Sequence, residues 1–288
     1  MNAADTKNRN LNWEIFTSKR PGLSRDLPPG KEGLRWVANS STLIYGERDA
    51  VLVDTFLTID QSQALLNWVV ASGKNLTTIY LTHGHGDHVF GIASLLERFP
   101  NARAVATPEV VEGIREQVSP AVLKNFWHRL FPGQIPEHLP VAEPLEGNEL
   151  ELEGHKLVAI NTGRTDTARS TCLHLPSIGL LVGGDVVYNG IHPYLAETDT
   201  ESRLEWIATL DKLEALNPLA VIAGHKIPEN KDEPRIIAET RQYLRDFNRL
   251  NDATTTPREL YDAMLELHPD RANPGSLWGG ANHAKRNA

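Results

Sequence analysis

Thr82-His83-Gly84-His85-Gly86-Asp87-His88 is the stretch on which the reading of this chain turns, because it sets three imidazoles and a carboxylate within positions 83–88. Burying so many ligand-type groups together is costly unless a cation satisfies them. The setting is apolar, with Leu76 to Leu81 leading in and Val89 to Leu96 leading out, which argues against a solvated polar loop. Imidazoles with one carboxylate suit zinc or another borderline first-row metal and leave coordination positions for water. Gly84 and Gly86 let the backbone bend so that alternate side chains converge.

The rest of the composition narrows the class. A chain of 288 residues with 40% hydrophobic and 23% charged residues is an ordinary globular protein with a sizeable core. It is long for one domain, yet α/β sandwiches and barrels often reach this length as one unit. A net charge of −8 speaks against a nucleic-acid partner, which needs a basic face. The one cysteine, Cys172, excludes an intramolecular disulfide and fits a reducing cytosol; within Ser170 to Leu175 it reads as a buried structural thiol. Met1 to Asn10 lacks the apolar core of a secretory signal, and no run approaches 18 apolar residues, so neither export nor a membrane span is expected. The expectation is a cytoplasmic protein whose partner is a small-molecule substrate, with a homodimer left open.

Residues 1–33 read as a flexible segment: 1–12 are polar, and 17–33 carry too much Pro and Gly for regular structure. Residues 34–288 read as one domain. Ser41 to Tyr45 and Ala50 to Asp54 form a hairpin signal, Ile59 to Ala71 has helical spacing, and Leu76 to Leu81 is a strand that delivers the histidine-rich loop. Val89 to Phe99 reads as helix. A helical insertion occupies 107–140, opening at Thr107-Pro108-Glu109. In it Phe126, Trp127, Leu130 and Phe131 serve either as core or as a lid over the metal loop. Strands resume at Glu149 to Leu152, Lys156 to Ile160, Thr171 to Leu175 and Gly179 to Val182. Helices follow at Arg203 to Leu216, Glu233 to Leu250 and Pro257 to His268, around a strand at Leu219 to Ala223, with a Pro/Gly-rich tail from 269. Helices enclosing two packed sheets account for this order.

Further ligands are expected where later strands end. Asp185, in Leu-Leu-Val-Gly-Gly-Asp, and His225, in Val-Ile-Ala-Gly-His, each follow an apolar strand and a glycine. With Val53-Asp54-Thr55 and the HxHxDH loop, these motifs in this order resemble the metallo-β-lactamase fold superfamily over residues of about 34 to 250. The resemblance implies an α/β fold, a four-layer αββα sandwich with metal at one edge of the sheets. It implies His83 and His85 on one metal, Asp87, His88 and His225 on a second, and Asp185 bridging. One position departs. Where the family carries a third histidine for the first metal, the turn Thr162-Gly163-Arg164-Thr165-Asp166-Thr167 presents Arg164. A guanidinium has no lone pair to give a metal. The expectation is one firmly held Zn2+, with iron or manganese as alternatives, and a weak or absent second ion. His192 could fold back as a substitute ligand, though a residue near the site or on the surface is favoured for it. Asp54 is expected to orient a ligand imidazole, and Asp166 and Thr167 to orient or cap their loop. His128, His138, His155, His174, His268 and His283 have no spacing argument for ligation.

A metal with an open position suits hydrolysis of a small ester, lactone or related carbonyl compound by metal-bound hydroxide. Asp87 or Asp185 would then handle the proton. Tyr188, three residues after Asp185, resembles the tyrosine of acyl homoserine lactonases that contacts the substrate carbonyl, and Arg164 would pair with a substrate carboxylate. The alternatives are a mononuclear iron enzyme of the persulfide dioxygenase kind, disfavoured by Arg164, and an impaired binding protein of the same fold. A nuclease is disfavoured by the acidic charge.

Overall fold

Alternation along the central strands dictates the layers. In β3 (Asp49–Val53), Ala50 and Leu52 join one apolar cluster while Val51 and Val53 join another; in β11 (Ala220–Lys226), Val221 and Ala223 are likewise opposed to Ala220 and Ile222. Strands apolar on both faces belong in sheets covered on both sides. The computed structural model, which describes residues 11–23 and 26–286, meets this requirement with two sheets packed face to face and helices outside each.

The first sheet runs β1 (Asn12–Pro21), β2 (Trp36–Tyr45), β3, β4 (Asn75–Tyr80), β5 (Arg103–Ala106) and β6 (Glu143–Pro144). Its β1–β2 and β2–β3 pairs are antiparallel and the remainder parallel. The second runs β11, β10 (Leu180–Asn189), β9 (Ser170–Leu175), β8 (His155–Gly163) and β7 (Glu149–Leu152), with only β10–β11 parallel. Ile44, Val51, Tyr80, Leu157, Leu173, Val182 and Ile222 fill the space between the sheets. Outside the first lie α1 (Ile59–Ala71), α2 (Gly86–Val89), α3 (Ile92–Arg98) and α4 (Pro108–Gln117); outside the second lie α7 (Thr200–Glu214), α8 (Arg235–Ala253), α9 (Pro257–Leu267) and α10 (Pro274–Lys285). The expected four layers are present.

Two expectations need correction. Residues 12–21 are not irregular: β1 pairs with β2 along its whole length, from Asn12 opposite Tyr45 to Pro21 opposite Trp36. Phe16 packs on Phe56 and Trp68, and Pro21 sits at the end of an edge strand, where its missing N–H is tolerated. Residues 1–10 of the expected flexible segment lie outside the described residues. The supposed tail forms α10, capped by the Asn273 side chain with Pro274 in its first turn; Leu277 and Ala281 are buried, and Gly280 leaves room for Leu195. The insertion is helical in short pieces, α5 (Pro120–Val122), a π-turn at Leu123–Trp127 and α6 (His128–Leu130). Its aromatics serve both roles considered: Trp127 and Phe131 are buried in the first core, and with Phe126 and Leu130 they also wall a cavity.

The histidine-rich loop is braced by α4. A Cβ on Gly84 would lie 2.7 Å from the Gly113 carbonyl carbon and 3.0 Å from the Ile114 nitrogen, both backbone atoms that cannot rotate away. Gly84→Ala therefore lowers stability by about 1–3 kcal/mol, read as a shift in the urea midpoint; an unchanged midpoint would show that the loop is not wedged against α4.

Candidate metal centre

The histidine-rich loop follows the end of β4 and His225 stands near the end of β11, whereas Asp185, expected at a strand end, lies within β10. β4 ends at Tyr80, and the chain turns through Thr82 into the loop and α2, bringing His83, His85, Asp87 and His88 to the sheet edge. Across the sandwich β10 is irregular on either side of Gly184, which has φ +51 and whose missing side chain admits Thr82. That irregularity presents Asp185. A Cβ on Gly224 would lie 2.3 Å from Asp185 Oδ1 and 2.8 Å from His88 Cε1, so His225 reaches this place only behind a glycine.

The six side chains expected as ligands meet. Asp185 lies at the centre, with Oδ1 3.3 Å from His88 Nε2 and Oδ2 3.1 Å from His225 Nε2 and 4.0 Å from His83 Nε2. Asp87 Oδ2 is 3.7 Å from His225 Nε2. Among the described residues three donor groups result, each with its ligand atoms within 4.8 Å of one another: His83, His85, Asp166 and Asp185; Asp87, His88 and His225; and Asp54, His83 and His88. The first two have no residue in common and make up the candidate pair of positions.

Asp166 corrects the account of Arg164. The Arg164 side chain is 47% exposed and faces Asp199 at 3.7 Å, so it neither occupies the first position nor charges it. The turn after β8 instead buries Asp166 completely, with Oδ2 3.1 Å from His85 Nδ1 and 3.8 Å from His83 Nε2. The physical reason is solvation: a guanidinium costs too much to bury beside a cation, whereas a carboxylate is drawn in by the imidazoles. A third donor is thus present for the first position, and the expected weak site loses its basis. The only signal in the sequence was a ligand-type residue two positions beyond Arg164 in the same turn.

The arrangement fits a cation. His83 Nε2, His88 Nε2, Asp166 Oδ2 and Asp185 Oδ1 are buried without any hydrogen-bond partner. Each orphan costs about 1–3 kcal/mol if left so, and all four belong to the first two donor groups. The opposite nitrogens are fixed: His88 Nδ1 lies 3.1 Å from Asp54 Oδ2, His225 Nδ1 donates to the Ala38 carbonyl at 2.9 Å, and His83 Nδ1 meets the Thr82 hydroxyl at 3.0 Å. Asp54, at φ 61, is itself held by the Thr82 N–H and hydroxyl. Such partners set the tautomer and ring orientation that ligation needs. The Tyr188 hydroxyl donates to Asp185 Oδ2 at 3.0 Å and its ring stacks on His225, so the group expected to reach substrate is already engaged with the central carboxylate.

The same contacts set the charge balance of the site. Burial opposes ionisation of Asp185, but His225 and His88 outweigh it and hold the carboxyl well below its usual range. Burial likewise opposes a charge on His88 and His225, while Asp185 raises both, and Asp166 and Glu197 raise His85. Of the four imidazoles, His83 goes down, through burial and the neighbouring His88.

A cavity of about 450 Å³ opens over the centre, walled by Phe126, Trp127, Leu130 and Phe131, with His85, Asp87, Asp185 and His225 on its floor. His192 also lines it; its Nδ1 lies 2.9 Å from the Tyr243 hydroxyl, its Nε2 has no partner, and it belongs to none of the donor groups. Four neighbours escaped the sequence reading. Asn39 Nδ2 donates to Asp87 Oδ2 at 3.0 Å, Arg20 Nη2 lies 3.6 Å from that oxygen, and Glu197 Oε1 lies 3.3 Å from His85 Nε2 with Tyr194 bonded to it. None of these stands at a distinctive spacing, and Arg20 lay in a stretch read as irregular.

A model of the metallo-beta-lactamase superfamily matches residues 34–225. The chain belongs to that superfamily. It is 24% identical over 197 residues to metallo-beta-lactamase type 2 of Bacteroides fragilis, which covers 67% of this chain and 71% of that protein. It is 29% identical over 82 residues to hydroxyacylglutathione hydrolase 1 of Vibrio vulnificus, spanning 28% of this chain and only 32% of that protein. A solved metallo-beta-lactamase family protein from Thermus thermophilus superposes with a TM-score of 0.62 at 24% identity, covering 92% of this chain and 91% of the other. These likenesses carry the fold and the family.

Two outcomes follow from the donor sets. Asp166→Ala loses about one metal equivalent by elemental analysis while Arg164→His leaves the content unchanged; the reverse pattern would restore Arg164 as the deciding residue. Because His85, His88 and His225 are held above their ordinary values in the metal-free protein, a cation must displace protons to bind. Affinity therefore rises with pH through and above the ordinary histidine range, and calorimetry in buffers of differing ionisation enthalpy reads net proton release. A pH-independent affinity between pH 6 and 8 would contradict it.

Proposed function

We propose that this chain is a metal-dependent hydrolase of small esters, thioesters or lactones, holding two Zn2+ ions. The observation that carries this is the pair of donor sets, His83, His85 and Asp166 and Asp87, His88 and His225, with Asp185 beside both at the floor of an aromatic-walled cavity. A cation bound there supplies Lewis acidity and an activated water at neutral pH. The chain's own residues do the rest. Asp185, held by Tyr188, keeps the two donor sets in register. Asp87, fixed by Asn39, accepts the proton of the attacking water and returns it to the leaving oxygen or sulfur. Trp127 and Phe131 exclude bulk water from the acyl group. A small organic substrate fits the size of the cavity. Among the described residues no helix is long and apolar enough to cross a membrane.

A second reading draws on one observation. His83, His85 and Asp166 form a two-histidine, one-carboxylate set, the donor pattern of non-haem iron oxygenases. Metal content separates the two. The hydrolase reading expects about two zinc equivalents and turnover of at least one ester, thioester or lactone, lost on chelation and restored by zinc. One iron equivalent with oxygen uptake and no hydrolysis would establish the other. Asp185→Asn, nearly isosteric, lowers kcat by about 100-fold or more; full activity in that variant would remove Asp185 from the centre of the mechanism.

A further inference from the structure

Arg20 is a guanidinium with too few partners for where it sits. Its side chain is 15% exposed, it lines the cavity, its Nε is buried without a hydrogen bond, and its contacts are the edge of Asp87 and the ring of Phe131, 5.1 Å away. Asp87 is the carboxylate that faces its guanidinium, at 3.6 Å. The atom involved is Asp87 Oδ2, the same oxygen that faces His225 Nε2 in the second donor set. A cation held by that set draws the charge of Asp87 toward itself. Arg20 is then left as a desolvated cation beside an apolar wall, an arrangement that needs another anion. The part of the floor around His85 disfavours one, since the Glu197 carboxylate stands there at 3.3 Å from His85 Nε2.

We propose, resting on the hydrolase reading above, that the substrate carries a carboxylate, and that Arg20 binds it between Phe131 and the second donor set. The guanidinium fork matches a carboxylate with two parallel hydrogen bonds. The scissile carbonyl then lies over the floor of the cavity and the apolar part of the acyl chain against Trp127 and Leu130. The anion is thereby kept on the Asp87 side and repelled from Glu197, so Arg20 sets both the substrate class and its orientation.

The test uses the zinc-loaded full chain and matched pairs of aryl esters and thioesters, one member ending in a methyl group and the other in a carboxylate at equal length. The expected result is a kcat/KM for the carboxylated member about 10- to 100-fold higher, the range a charge-assisted pair supplies. In Arg20→Ala that ratio collapses toward one, chiefly through KM, and Arg20→Lys recovers part of it. Asn39→Ala, which loosens Asp87 without touching the guanidinium, slows both members alike and leaves the ratio intact. If Arg20→Ala slows both members equally, Arg20 serves only Asp87 and the proposal is wrong. A direct arm measures calorimetric binding of the ketone analogue of the carboxylated ester, which cannot be hydrolysed, against its methyl ester. Binding of the acid by the native protein but not by Arg20→Ala supports the proposal even if no ester is turned over, in which case the hydrolase reading alone fails. Equal binding of acid and methyl ester, or binding of neither, overturns it.

Discussion

Asp185 is the point at which this molecule is most constrained. A fully buried carboxylate is tolerable only if positive charge surrounds it, and here that charge comes from His88 and His225 on opposite sides, with a tyrosine hydroxyl as third partner. Neighbouring carboxylates outweigh burial and raise the pKa of His85, His88 and His225 above the ordinary imidazole value, while burial and the neighbouring His88 lower that of His83. A cation bound there would displace protons from the raised imidazoles and satisfy buried nitrogens and oxygens that have no hydrogen-bond partner. Much of the surrounding architecture serves this exchange: glycines at 84, 184 and 224 allow the approach, and Asp54 and the Ala38 carbonyl fix the rings.

Legibility in the sequence followed how local each signal is. The HxHxDH loop, Gly-Asp and Gly-His are contiguous motifs, and all six of their side chains converge, although β10 runs on past Asp185 to Asn189. The layers were readable from the order of strands and helices and from the resemblance that the local motifs carry, and the two-faced apolar strands β3 and β11 realise them. What was missed depends on partners far along the chain. β1 looks irregular alone and becomes a strand because β2 offers ten consecutive pairing positions, Trp36 to Tyr45. α10 contains three glycines, at 275, 279 and 280, yet is held by Asn273 at its start and by the packing of Leu277 and Ala281.

Arg164 shows how a motif misleads when it is read by position alone. The alignment of one turn put a cation where a ligand belongs, and the inference of a missing donor was sound chemistry applied to the wrong side chain. A turn has several residues that can be rotated inward, and desolvation chooses among them. Here it chose Asp166 and sent the guanidinium out to Asp199. Arg20 presents the opposite case, a guanidinium kept inside, where one carboxylate oxygen is shared between two demands.

The division of donors along the chain also bears on how the protein is made. His83, His85, Asp87 and His88 emerge from the ribosome well before Asp166, Asp185 and His225. A nascent chain that has finished only the first sheet owns two imidazoles for one position and an imidazole with a carboxylate for the other, too few to grip an ion firmly. Tight capture waits until the second sheet has docked. An ion held by both sets would tie together two separately translated layers.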